Sequence, residues 1–102
     1  MDNIEVKKRF FKAFSNPTRI AIIEELRKGK RCVKELCEAL SLEQSRVSHN
    51  LKCLEDCGFV VVERKGKHRF YSLEEDNIIP ILKHIDRHLK GYARKLASCK
   101  RL

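Results

Sequence analysis

Residues Val33 to Gly58, VKELCEALSLEQSRVSHNLKCLEDCG, leave this chain little choice of fold. Val33, Leu36, Ala39 and Leu40 recur at helical spacing, and Val47, Leu51 and Leu54 do so again after a break at Ser41-Leu42. Each short helix is therefore apolar on one face and must pack on something else. Ser41 is expected to N-cap the second helix, with Gln44 three residues later completing the reciprocal capping pattern, and Gly58 is expected to close it. The pattern predicts a helix-turn-helix.

The outward face of the second helix carries Gln44, Ser45, Arg46, Ser48, His49 and Lys52, with no acid before Glu55. Such a face suits the major groove of double-stranded DNA, where Gln and Arg read base edges while Ser, His and Lys hold phosphates. An ordinary solvated helix face has the same look, and the segment after Gly58 separates the two readings. Phe59 to Val62 and Phe70 to Leu73 are β-branched and aromatic runs flanking Glu63 to Arg69, which predicts a hairpin turned at Gly66. Arg64, Lys65, Lys67 and Arg69 crowd its tip. A basic hairpin directly after a recognition helix is a wing, placed to grip the phosphate backbone or enter the minor groove.

Charge points the same way. The chain has 23 Lys plus Arg against 14 Asp plus Glu, a net charge of +9, so its natural partner is a polyanion. At 102 residues it is a single domain with a small core that gains from dimerising. No apolar run approaches the roughly 18 residues needed to span a bilayer, and the N-terminus does not read as a signal peptide, so no membrane partner and a cytoplasmic location are expected. Five cysteines in a reducing compartment are not expected to form structural disulfides, which leaves metal ligation, redox sensing and simple burial open. There is no C-x-x-C, no Gly-rich phosphate loop and no H-E-x-x-H, and an enzyme is not expected.

Outside the central stretch, Asp2 to Ser15 reads as a helix bearing Ile4, Val6, Phe10, Phe11 and Phe14, ended by Asn16-Pro17. Thr18 to Arg27, with Ile20, Ile22, Ile23 and Leu26, reads as the central buried helix, and Lys28-Gly29-Lys30 as a turn. Asp76 to about Cys99 is one long helix striped by Ile78, Ile81, Leu82, Ile85, Leu89, Tyr92 and Leu96, with Pro80 in its first turns and Gly91 weakening its middle. That stripe is longer than so small a domain needs, so this helix and the Phe-rich first one are expected to form a dimer interface. The fold class is mainly α with a β-hairpin wing, a homodimeric winged helix-turn-helix in the order α-α-α-α-β-β-α.

That order, the segment Ser45-Arg46-Val47-Ser48-His49-Asn50-Leu51, the turn Asn16-Pro17-Thr18-Arg19 and the Gly66 wing together resemble the ArsR/SmtB family of winged-helix repressors, over nearly the whole chain. The resemblance implies a homodimer on operator DNA that is released when an inducer binds. Three inducer sites known in the family have counterparts here. Cadmium and lead sensors carry two cysteines at the end of the recognition helix and a third near the C-terminus, matched by Cys53, Cys57 and Cys99. Residues i and i+4 share a helix face, so two thiolates there can clasp one soft ion, and the alternative is that both are small buried hydrophobes. Arsenic-type repressors have three cysteines near the start of the helix-turn-helix. Here Cys32 and Cys37 remain, but Lys34 replaces the middle one and repels a cation. That pair is instead a candidate, with Cys99, for a thiol or persulfide switch. The zinc site on the last helix maps by register to Glu75, Asn77, His88 and Gly91, of which only Glu75 and His88 can ligate, with His84 and Asp86 nearby. The expected inducer is a soft ion of the Cd, Pb or As class, or Zn. An effector-free nucleic-acid-binding protein with buried cysteines is the competing reading.

Overall fold

The computed structural model describes residues 1–102. It contains α1 (Asn3–Phe14), α2 (Pro17–Leu26), α3 (Val33–Leu40), α4 (Gln44–Asp56), β1 (Val60–Lys65), β2 (His68–Leu73) and α5 (Ile78–Ala97), the expected order. Three of the helices start on a side-chain cap that the sequence supplies. Asp2 accepts from the Glu5 amide at 2.8 Å and Asn16 from that of Arg19 at 3.1 Å, with Pro17 in the first turn of α2. Glu74 caps α5, its carboxylate taking the amides of Asp76, Asn77 and Ile78. That cap holds the Glu74 carboxyl below its ordinary value, the Ile78 amide being the largest cause.

The break between α3 and α4 differs from expectation. Ser41 is not the N-cap of α4. It C-caps α3 in the left-handed conformation, φ 54°, its amide donating to the Cys37 carbonyl, and Glu43 holds the N-cap position. A turn this tight needs one left-handed residue to release the end of α3, and the segment offers no glycine to take it. Gly58 does close α4 as expected. Its φ is 78°, and the Phe59 amide bonds back to the Leu54 carbonyl at 2.9 Å.

The core is shared by the central helices and the root of the hairpin. Ile22, Ile23 and Leu26 of α2 meet Leu36 of α3, Val47, Leu51 and Leu54 of α4, and Phe59, Val60, Tyr71 and Leu73. Phe10 and Phe14 of α1 pack against Phe59 at tilted ring angles, with centroids 5.1 and 4.8 Å away, whereas Ile4, Val6 and Phe11 stay exposed. Each fully buried Leu or Phe here contributes about 1.5–3 kcal/mol relative to exposure.

The hairpin ladder is longer than its apolar runs suggest. It pairs Val60 with Leu73 through to Lys65 with His68, leaving only Gly66 and Lys67 in the turn. Arg31, just before α3, bridges to Tyr71 through hydrogen bonds of 3.0 and 2.8 Å and ties the hairpin root to the helix-turn-helix.

Only the first turns of α5 join this core, through Ile78 and Leu82. The helix continues unbroken through Gly91, and beyond Lys83 only Leu89 is even half-buried. No helix is long and apolar enough to cross a membrane.

Candidate nucleic-acid interface and cysteine sites

On α4 the inward and outward faces separate cleanly. Val47, Asn50, Leu51 and Leu54 are buried, while Gln44, Ser45, Arg46, Ser48, His49 and Lys52 are exposed. Lys52 is met by Asp56 one turn on, at 3.2 Å, a surface pair worth a few tenths of a kcal/mol at most. The wing stands beside this face. Arg64 and Arg69 face each other in the ladder and, with Ser48, Lys52 and Glu55, line a groove between α4 and the hairpin floored by Val33, Val62 and Tyr71. Lys67 is exposed at the turn, and Lys65 shares Glu63 with Lys30 at 3.6 and 3.7 Å. Two like charges opposed on a strand pair destabilise it, and an anion between Arg64 and Arg69 removes that repulsion.

Arg46 stands apart from the other expected groove residues. Its Nε and Nη2 both donate to Thr18 Oγ1, at 3.0 and 2.6 Å, so the guanidinium is drawn back onto α2. Beside it Arg19 donates to the Ala13 and Lys12 carbonyls at the end of α1 and to Asn50 Oδ1 at 3.2 Å, and Asn50 Nδ2 donates to the Arg46 carbonyl. Thr18, Arg19 and Asn50 thus fasten α4 to α2, and Arg19 ties both to the end of α1. None of the three was singled out as a site residue by sequence reasoning. The available signal was Asn50 itself, a polar residue on an apolar helix face.

Cys53 and Cys57 lie one turn apart at the end of α4, the first half-buried and the second exposed. The Cys57 thiol is pushed above its ordinary value, first by desolvation and then by the neighbouring Cys53, with Arg19 pulling the other way. Cys99 is exposed beyond the end of α5 and does not join them. No three His, Cys, Asp or Glu side chains within one chain converge on a common point.

Cys32 caps α3, its amide donating to Glu35 Oε1 at 3.0 Å, and this holds the Glu35 carboxyl below its ordinary value. Cys37 packs half-buried against the core. The two stand five positions apart, Cys32 in the extended N-cap conformation and Cys37 within α3, so they do not share a helix face. On α5 the zinc counterparts are dispersed. Asp86 is bound to Arg27 of α2, His88 is stacked on Tyr92 at 4.6 Å, Asn77 occupies the N-cap position and Glu75 is exposed before the helix.

Residues 16–62, from the Asn16 cap to the middle of β1, match the family described as "Bacterial regulatory protein, arsR family". The chain is 36% identical over 74 residues to a probable mercury resistance operon repressor of Streptomyces lividans, a match that covers 72% of this chain and 59% of that protein. It is also 36% identical over 73 residues to the arsenical resistance operon repressor of Bacillus subtilis, covering 71% of this chain and 70% of the relative. Among solved structures, that of Rv0081 from M. tuberculosis superposes with a TM-score of 0.83 at 29% identity, over 96% of this chain and 100% of the other.

Proposed function

The chain belongs to the arsR family of bacterial regulatory proteins, and on that premise we propose that it is a homodimeric transcriptional repressor, held on double-stranded operator DNA by α4 and the wing and released by a soft metal ion at cysteines. The release step rests on one observation: Cys53 and Cys57 sit one turn apart at the end of the helix that presents Gln44 to Lys52. Two sulfur donors on one helix face suit an ion of the Cd, Pb or As class better than a hard one. The relatives' names, tied to mercury and arsenical resistance, favour the same class. Cys53 follows Asn50 by three residues on α4, so an ion gathered there pulls on the segment that Arg19 and Asn50 hold in place.

Surface area supports the dimer. A compact 12.0 kDa monomer exposes about 6,000 Å², whereas this chain exposes 7952 Å². Exposed Phe11 on α1 and Ile85, Tyr92 and Leu96 on α5 supply the apolar surface for a second copy. In this reading Cys99 of the partner subunit supplies the third thiolate, since Cys99 lies at the end of the helix that a partner covers.

The test is a cadmium titration of the reduced protein bound to a fluorescent duplex from its own promoter region, followed by anisotropy. Release at about one ion per subunit, lost in Cys53→Ser, is the expected result. Retention of the complex at saturating cadmium excludes metal release through this pair and transfers the role to thiol chemistry at Cys32, the cap of α3 beside the wing root, with Cys37 and Cys99.

A further inference from the structure

The excess positive charge is not where the reading face is. Residues 83–102 hold seven of the 23 cations and one of the 14 acids, six of the nine net charges, yet none of these residues lines the groove between α4 and the wing. Four of the seven are ordered along α5. Lys83, Arg87, Lys90 and Arg94 follow one another at four-, three- and four-residue steps, which places them within an arc of about 60° and along about 16 Å of helix. All four are exposed. The one acid, Asp86, makes its ion pair with Arg27 of α2, which is also the first cause of its carboxyl standing below its ordinary value.

This stripe lies about 160° around the helix from the apolar line of Ile85, Leu89, Tyr92 and Leu96. A second copy seated on that line leaves the cations pointing outward. We propose that the Lys83–Arg87–Lys90–Arg94 stripe is a second, sequence-independent DNA-binding surface, which takes the phosphate backbone of a duplex segment other than the one α4 reads. The inference rests on the DNA-binding dimer proposed above.

Duplex backbone is the occupant that the chemistry favours. The stripe interleaves no aromatic, apolar or hydrogen-bond-accepting side chain with which to recognise a particular protein. Evenly spaced Lys and Arg suit a uniform lattice of phosphates instead. A membrane surface fits poorly, because an interfacial helix buries its apolar face, and here that face is opposite the cations and covered in the dimer. A repressor already on its operator, moreover, has the rest of the same DNA molecule at high local concentration.

The test uses the whole protein, a fluorescent promoter duplex and a biotinylated duplex of unrelated sequence, each about 30 bp, at about 50 mM salt. The variant Lys83→Gln/Arg87→Gln/Lys90→Gln/Arg94→Gln keeps helix propensity and alters only exposed side chains, and circular dichroism checks its fold. Wild type is expected to carry the fluorescent duplex onto streptavidin through the biotinylated one. The quadruple variant is expected to bind the fluorescent duplex within about twofold of wild type while its capture falls about tenfold or more. The reading-face variant Ser48→Ala/His49→Ala, by contrast, is expected to lose promoter preference yet stay on the biotinylated duplex. Undiminished capture by the quadruple variant overturns the proposal. So does a parallel loss of promoter affinity, which makes the stripe part of the first contact. Stripe-dependent binding to anionic phosphatidylserine vesicles, without capture of duplex, overturns it in favour of a lipid surface. If wild type shows no preference for the promoter duplex, the repressor reading fails by itself, and stripe-dependent retention on the biotinylated duplex still decides the second surface.

Discussion

Asn50 sits on the inward face of α4 between Val47 and Leu51, where a polar side chain has to find partners. It finds Arg19 and the Arg46 carbonyl, and Thr18 completes the fastening by taking the Arg46 guanidinium. A hydrogen bond to a charged group contributes about 1.5–3 kcal/mol, and because Thr18 is buried while Arg46 is exposed, solvent screening leaves this one at the lower end. Thr18→Val is therefore expected to lower stability by about that amount and promoter affinity by about tenfold, because α4 loses its fixed pose. The slope of log affinity against log salt is expected to stay at the wild-type value, since no phosphate contact is removed; anisotropy at several salt concentrations reads both. A slope that falls by about one places this cluster on the DNA backbone instead. At this scale the sequence was a partial guide. Exposure of Ser48, His49 and Lys52 follows from spacing alone, but the capture of Arg46 by a residue 28 positions earlier depends on how α2 crosses α4, which periodicity does not encode.

Helix ends are where local chemistry sets the geometry of whole elements. Glu74, three residues before the N-cap position of α5, gathers three backbone amides and so fixes where that helix leaves the wing. Its folded-state carboxyl titrates below the ordinary 4.5, so its contribution is complete above that pH and is lost as pH falls through the lowered value. Glu74→Gln is expected to melt several degrees below wild type at neutral pH, with the gap closing as pH falls through the lowered carboxyl value; parallel melting curves across pH check it. A constant gap down to strongly acidic pH assigns the cap to shape and not to charge. All seven elements were readable from apolar period and breakers. Two junctions were not. Ser41 reads as an N-cap because Ser usually is one, and only the three-dimensional turn demands a left-handed residue there. The ladder from Glu63 to Arg69 consists of charged residues that strands disfavour, held in register by the two-residue turn at Gly66.

As a whole the molecule is longer than its mass requires. Its radius of gyration is 14.9 Å, with extents of 47 × 33 × 25 Å, against about 13 Å for a compact chain of this length. The excess is α5, whose outer half carries Tyr92 at 49% and Leu96 at 51% exposure. Tyr92→Glu/Leu96→Glu is expected to give a folded monomer by sedimentation and to weaken promoter binding by a hundredfold or more, about 3 kcal/mol, because two half-sites are no longer held together. A variant that stays dimeric moves the interface onto Phe11 and the rest of α1. That the last helix exceeds the needs of one core was visible in its stripe. Which aromatics of α1 turn inward was not, because Phe10, Phe11 and Phe14 are alike until Phe59 selects two of them.

The ion pair between Arg27 and Asp86 lies near the middle of α5, and in the arm beyond it only Leu89 is even half-covered by its own chain. Mechanically this is a lever on a pin. From Asp86 to Ala97 the arm is about 16 Å long, so a swing of 10° displaces its tip by nearly 3 Å, and in a two-fold assembly the separation of the two tips changes by about twice that. Two reading heads set on such arms behave as a caliper. In the dimer proposed above, the spacing between the two reading heads follows from the angle at which this arm leaves the Arg27–Asp86 pair.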